Sequence, residues 1–538
     1  MWTMRLWALR ITLLFLLVFV GSAIGEEADF KPLFDGKTLE GWKAPDMSYW
    51  SVEDGAITAR SSDQHPVTAN QFLVWQLGEL DDFELKLKYR ISGTPEANSG
   101  IQIRSRVAPD GHAIGYQADI DLAGQWAGAL YDEQGRGMLA QRGQKAVIDV
   151  DGKITHTAIP DAEALLANIK KDDWNDYHII ARGNHIILEI NGKATADVTD
   201  NDPKEHDFSG VLALQLHAGP PMNVRFKDIM LKRLKLENRK KIVLVAGPRS
   251  HDYGSHEHNA GCLLLAKCLN ENMPDIYAAV YRNGWPKDPT ALDNADAIVI
   301  FCDGDGGNVA LPHFADIDKL MKKGAGIAFI HYALTVPKGQ AGNYMLNWLG
   351  GYYETFWSVN PFWTAEFKQL PDHPITRGVR PFKINDEWYY YMRFVEDMKN
   401  VTPILTAIPP DDTRKGADGA HSGNPRVRAR MGQPEHVAWV YQRPDGGQGE
   451  ALDGTKPAFS GRGFGFTGAH SHWNWAHNDF RKLVLNALVW ITGAEVPGEG
   501  VPSKTPTIEE LQANIDEPKP ENWKPEEIQQ EIKQWNRP

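Results

Sequence analysis

The stretch Phe83-Glu-Leu-Lys-Leu-Lys-Tyr-Arg-Ile91 puts an apolar or aromatic side chain at every odd position and a charged one at every even position. A period of two turns one set toward a core and the other toward water, so these residues read as a half-buried β-strand. Residues 100–106 alternate again, with Ile101 and Ile103 on one face and Gln102 and Arg104 on the other. Residues 177–181, 185–190 and 194–198 are separated by Gly183-Asn184 and Asn191-Gly192, dipeptides suited to tight hairpins. Residues 211–217 and 224–231 continue the series. Many short strands with regular turns predict an all-β sandwich over residues 29–236.

The pattern changes after the charged stretch 236–241. Ile242-Val-Leu-Val-Ala-Gly247 is continuously apolar, as expected of a strand covered on both faces. Helical signals over 261–270, 315–323 and 479–492 are interleaved with strand signals over 277–281, 297–302, 326–331 and 462–467. That alternation predicts a mostly parallel sheet in an α/β domain over residues 240–498. Residues 499–538, rich in Pro and Glu, read as an acidic tail, either solvated or laid as a strap. At the other end, Arg5 and Arg10 precede the short apolar run 11–20, and Ala23 and Gly25 offer small residues for cleavage. Residues 1–25 thus read as a secretory signal. The expected location is secreted or periplasmic, with membrane association only through that signal.

The chain has 538 residues, 42% hydrophobic and 24% charged, a globular composition with room for two or three cores. Its net charge of −13 speaks against a nucleic-acid partner, which needs clustered Lys and Arg. Three cysteines cannot form a disulfide framework, and buried free thiols are expected for Cys262, Cys268 and Cys302. The 18 tryptophans suit sugar-contacting surfaces and sandwich cores equally.

Open parallel sheets bind ligands beyond the carboxyl ends of their strands. After the strand at 242–246 comes Ser250-His-Asp-Tyr-Gly-Ser-His-Glu-His258, and after 297–302 comes Asp303-Gly-Asp-Gly-Gly307. His331 follows 326–330, and Gly468-Ala-His-Ser-His472 follows 462–467. Six of the 18 histidines therefore collect at one sheet edge. Three readings stay open: a divalent metal held by His251, His256 and His258, a metal-free pocket in which His331 does acid–base work beside His470 and His472, or scattered structural roles.

Residues 33–42 (LFDGKTLEGW), 98–104 (NSGIQIR), 115–121 (GYQADID), 128–132 (GALYD), Trp174-Asn175 and Leu214-Gln-Leu-His217 resemble the 3-keto-disaccharide hydrolase family. The resemblance implies a concanavalin-like jelly roll that cleaves a glucoside already oxidised at C3. A C3 ketone acidifies the C2 hydrogen; a base removes it, the enolate expels the C1 substituent, and water adds later. Asp119 or His217 is the implied base, and Arg104 with Tyr116 or Tyr131 the implied oxyanion or hydroxyl partners. Asn98, Gln117, Asp121 and Gln215 are the implied substrate contacts. Many relatives carry Glu where this chain has Gln117, which puts the identity of the base in question. Trp42 and Trp174 read better as core than as sugar platforms.

Residues 326–332 (GIAFIHY), 386–389 (DEWY), 437–441 (VAWVY) and 461–470 (GRGFGFTGAH) resemble the trehalose-utilisation, ThuA-like family. The resemblance implies a flavodoxin-like fold related to class I glutamine amidotransferases. Those enzymes present a nucleophilic Cys at a strand end, where this chain has His331, so glutaminase chemistry is not expected. Glu387 and Asp386 are the acid candidates, although capping suits them as well, and Trp388 is a candidate sugar contact. Both resemblances point to keto-sugar breakdown: a sandwich that cleaves 3-keto-glycosides and a second domain that acts on or binds a related sugar or oligosaccharide. The rivals are a two-module glycan-binding protein without catalysis and a metal-dependent α/β enzyme targeted by its sandwich.

Overall fold

The structure, a computed structural model, describes residues 29–160, 162–444 and 461–537. The expected signal at 1–25 lies outside the described residues. Among the described residues no helix is long and apolar enough to cross a membrane. The chain divides into two compact units after Glu237, with Lys287–Asn294 grouped in the first. That short segment departs from the sequence-based boundaries. Its Asp288 forms a buried ion pair with Arg233, 2.9 Å apart, which explains the grouping.

The first unit is all-β apart from short helical turns. A ten-stranded sheet has Phe83–Gly93 at its centre, flanked by Asn175–Arg182 and Met222–Arg233. A seven-stranded sheet runs in the order Gly137–Ala140, Leu130–Glu133, Ala113–Asp121, Asn98–Val107, Val211–Leu216, Gln71–Trp75, Trp42–Lys43. The facing sides fill one core: Leu85, Leu87, Tyr89 and Ile91 from the first sheet, Ile101, Ile103, Ile120 and Leu214 from the second. Each such side chain contributes about 1.5–3 kcal/mol through burial. The strict alternation of 83–91 is what allows one strand to serve the core and solvent at once.

The second unit is built on a seven-stranded sheet. Its strands are β1 (Lys240–Ala246), β2 (Ile276–Tyr281), β3 (Ala297–Phe301), β4 (Gly326–Ile330), β5 (Val401–Ala407), β6 (Glu435–Gln442) and β7 (Arg462–Phe466). The order across the sheet is β2-β1-β3-β4-β7-β6-β5. The first five positions are parallel, and β6 and β5 add antiparallel at one edge. Helices α1 (His258–Asn272) and α4 (Asn478–Ile491) pack together on one face; α2 (Phe314–Lys322) and α3 (Gln340–Leu349) pack together on the other. Strands β1, β3 and β4 are covered on both sides, which is why they read as unbroken apolar runs. Two glycines set the packing distance: a Cβ at Gly326 would strike the Ile491 carbonyl, and one at Gly463 the Trp348 carbonyl.

The acidic C-terminal stretch is a strap, not a solvated tail. Residues 499–537 belong to the second unit, with helices at Ile508–Gln512 and Pro525–Trp535. Ile508 and Leu511 are buried, and Trp523 packs against Tyr253 and Trp473. Gln512 donates to the Tyr253 hydroxyl, Asp516 accepts from Asn259, Glu257 accepts from the Asp516 amide, and Glu517 pairs with Arg249. The strap therefore grips the loop that follows β1.

Candidate functional site

In the second unit the loops beyond the carboxyl ends of β1, β3, β4 and β7 converge. β1 and β3 lie at the point where the strand order reverses, the usual crevice of an open α/β sheet. His256 Nε2 lies 3.0 Å from His331 Nε2 and 3.0 Å from His470 Nδ1. Glu387 Oε2 is 3.0 Å from His470 Nδ1 and 3.4 Å from His331 Nε2. These four groups each offer an atom within 4.8 Å of all the others; His251, His256 and Asp303 form a second such group. His331 and His256 are almost wholly buried, whereas His470 and Glu387 keep about a seventh of their side chains exposed, 15% and 14%. The cluster is thus sealed below and open on one side.

Each ring is held from behind. His331 Nδ1 donates to the Thr467 carbonyl at 2.7 Å, and His256 Nδ1 donates to Asp303 at 3.2 Å. Asp386 accepts from the backbone amides of Ala469, His470 and Ser471 and from Asn474, so it shapes the loop that presents His470. Three residues of the site have left-handed backbones: His256 (φ 51°), His331 (φ 55°) and Ala469 (φ 85°). Such conformations cost about 1–3 kcal/mol each and persist where the surroundings over-determine them. Burial pushes the His256 and His251 imidazoles down. Burial alone would raise the Glu387 carboxyl, but the neighbouring rings of His331 and His470 hold it low, at about 2.

Several expected members stand apart. His258 belongs to neither group: its Nδ1 donates to the Pro248 carbonyl and burial lowers it to about 4. His472, two residues from His470, is buried on the opposite side and bonded to the Leu511 carbonyl of the strap. Trp388 is fully buried core, donating to the Ile384 carbonyl, and contacts no solvent through which a sugar could approach. Cys302 is buried with its thiol pushed up to about 12, so it supplies no nucleophile; Cys262 and Cys268 are buried free thiols too. Two contributors escaped the sequence reading. Tyr389 places its hydroxyl 3.2 Å from His331 Nε2, and Asn360 donates to Glu387. Both come from the long excursion between β4 and β5 and lie outside its two alternating strands, Trp363–Phe367 and Phe382–Asp386.

In the first unit the expected residues sort by sheet face. On the outer face of the seven-stranded sheet, Ser105 donates to Gln102, Gln102 to Gln117 (2.9 Å) and Gln117 to Asp119 (2.8 Å). Gly100 makes this possible, since a Cβ there would lie 2.5 Å from the Gln117 side chain. Asp119 is 6% exposed, and burial raises its carboxyl to about 8. Gln117 is an amide whose N–H donates to that carboxyl. By the register of neighbouring strands, Gln215 lies across the Gly100 gap from Asp119; both of its amide atoms are buried without a partner among the described residues. His217 is half-buried, its Nδ1 donating to the Ala218 carbonyl. Asn98 and half-buried Tyr131 share this face, opposite Asp121 and Gln117 respectively.

Arg104, Tyr116 and Asp121 do not take the expected places. Arg104 is buried against Asp82 (2.8 Å) and donates to the carbonyls of Asp81 and Gly183, tying loops at the sandwich end. Tyr116 faces the inner core, its hydroxyl donating to Asp200 at 2.5 Å beside Arg136. Asp121 caps the following loop by accepting from the amides of Gln125, Trp126 and Ala127. Each is committed to structural partners.

Residues 29–232 match the family described as 3-keto-alpha-glucoside-1,2-lyase-like domain, and residues 243–491 match the trehalose utilisation family, ThuA. The chain joins one domain of each family. No curated protein matches it. Among solved structures, the lyase-like domain is similar to the carbohydrate-binding module CBM66 from Bacillus subtilis, at 13% identity over 36% of this chain and 95% of that one, TM-score 0.25. It is also similar to a glycosyl-hydrolase-like protein from Parabacteroides distasonis ATCC 8503, at 18% identity over 39% and 96%, TM-score 0.27. The ThuA domain is similar to a thua-like protein from Bacteroides uniformis ATCC 8492, at 14% identity over 48% and 94%, TM-score 0.33.

Proposed function

We propose that this chain is an exported carbohydrate-processing enzyme whose sandwich cleaves 3-keto-glycosides by elimination. The observation that carries the reading is the place of Asp119: a carboxyl buried on a polar sheet face and pushed up to about 8 by that burial, across from the Gln215 amide, which has no partner among the described residues. A base of that strength suits abstraction of a hydrogen made acidic by a neighbouring ketone. Asp119 takes the C2 proton and the C–H electrons pass into a C2–C3 enolate. The Gln215 amide N–H steadies the enolate oxygen. The electrons then return to form a C1–C2 double bond as the C1–O bond breaks, and His217 hands a proton to the departing sugar. The products are a conjugated enone and a free alcohol. The family match over 29–232 supports this assignment.

The α/β domain then acts on or binds a related keto-sugar at its histidine cluster. Its parallel strands in the order β2-β1-β3-β4-β7 support a flavodoxin-like, class I amidotransferase-like reading, with His331 at the position of the nucleophile elbow. The export signal at 1–25 sends the protein outside the cytoplasm. Incubating the full chain with a 3-keto-disaccharide tests the proposal: free sugar and enone absorbance appear together, and Asp119→Asn abolishes both. Saturable binding without product would favour a glycan-binding protein instead.

A further inference from the structure

We propose that His256 Nε2, His331 Nε2, His470 Nδ1 and Glu387 Oε2 bind one divalent transition-metal ion. The protonation pattern comes first. A neutral imidazole carries one N–H, and its other nitrogen is an acceptor. His331 spends its N–H on the Thr467 carbonyl and His256 spends its N–H on the Asp303 carboxylate. Both Nε2 atoms are therefore lone pairs, and they face each other at 3.0 Å. His470 Nδ1 and the acceptor-only Glu387 carboxylate close the group at 3.0–3.4 Å. Without an ion, the Tyr389 hydroxyl proton, 3.2 Å from His331 Nε2, and an N–H on His470 Nδ1 satisfy at most two of the three remaining acceptors, His331 Nε2, His256 Nε2 and the Glu387 carboxylate. A cation at the centre satisfies all four.

The spacing agrees. Bonds of about 2.0–2.2 Å from a metal to nitrogen or oxygen place neighbouring ligand atoms about 3.0 Å apart in an octahedron and about 3.4 Å apart in a tetrahedron. The observed contacts span that interval, 3.0–3.4 Å. Three imidazoles and a carboxylate suit zinc, cobalt, nickel or iron better than magnesium or calcium. The supports are those of a metal site: a carbonyl behind one histidine and a carboxylate behind another fix tautomer and ring orientation. The expected ligand set changes accordingly. His256 stays, Asp303 becomes the orienting partner, and His251 and His258 stand outside.

The partly exposed flank of His470 and Glu387 gives a further ligand a way in. A chelating α-hydroxyketone fits that opening, a step that rests on the keto-sugar reading above; the ion itself does not.

The full chain, dialysed against Zn²⁺ or Co²⁺ and then against buffer, is expected to retain about one equivalent by elemental analysis, with visible Co²⁺ ligand-field bands. Glu387→Gln and His470→Gln, checked for a cooperative melt, are expected to lose the equivalent and the bands. Asp303→Asn is expected to weaken affinity about 10- to 100-fold while keeping the stoichiometry. His313→Ala, a histidine stacked on Trp285 away from the cluster, serves as the unchanged control. A folded parent that takes up no ion, or uptake unaltered in both ligand variants, overturns the proposal. A metal-binding chain inactive on every keto-sugar sinks only the substrate reading.

Discussion

Replacing Asp119 by Asn is expected to remove activity and raise stability together. The carboxyl titrates near 3.9 in an unfolded chain and at about 8 in the fold, where burial is the main cause. Between those values the folded state keeps a proton that the unfolded state has released. Stability therefore falls as pH rises through that window, by about 1.4 kcal/mol per pH unit and about 5–6 kcal/mol at the extreme. Relaxation and water entry on ionisation reduce this to an expected 2 kcal/mol or so. Asn keeps the acceptor for the Gln117 amide and never ionises. At pH 9 the variant should melt about 4–8 °C higher than its parent, and at pH 4 the difference should vanish. The parent's kcat/KM should climb about tenfold per unit between pH 6 and 8 and then level, while the variant loses about 10²- to 10⁴-fold. Calorimetry at several pH values beside a pH–rate profile checks both halves. A variant that is less stable at pH 9, or that still cleaves, refutes the reasoning.

Four other perturbations follow from the geometry. Gln117→Glu sets a second carboxylate 2.8 Å from Asp119 in place of a donor, so the midpoint of the pH–rate profile should move up by about one unit or more. Asp82→Ala strips Arg104 of its buried carboxylate and should cost about 3–5 kcal/mol in chemical denaturation. Asp386→Ala orphans the amides of residues 469–471; at about 1–3 kcal/mol per unsatisfied group, it should destabilise the second unit and speed hydrogen exchange there. Trp523→Ala removes two ring contacts of about 0.5–1.5 kcal/mol each, and exchange protection should drop in residues 250–258.

The parts of the fold written as simple periods were legible. The two-residue period of 83–91 marks a strand with one face in the core, and the unbroken run 242–246 marks one covered twice. The antiparallel additions β5 and β6 were harder. β5 carries Pro403, which demotes a strand by composition yet is tolerated on the sheet edge where it lies. Sequence left the tail open between solvated and strapped because its average is polar; a few anchors, Ile508, Leu511 and Trp523, decide its placement. The histidine edge was visible because chain topology alone brings strand ends together. Which side chains point inward was not, since His470 and His472 share a loop and diverge by a turn of backbone.

The strap also fixes where the second domain can be cut. The family likeness ends at residue 491, yet the residues that brace Tyr253, Asn259 and His472 lie at 511–523. A chain shortened to the family boundary would keep every strand of the sheet and all four clustered side chains. It would lose the outer wall of the loop that carries His256. Transplanting this domain into another protein, or fusing a partner behind it, therefore has to carry those last residues along as part of the domain itself.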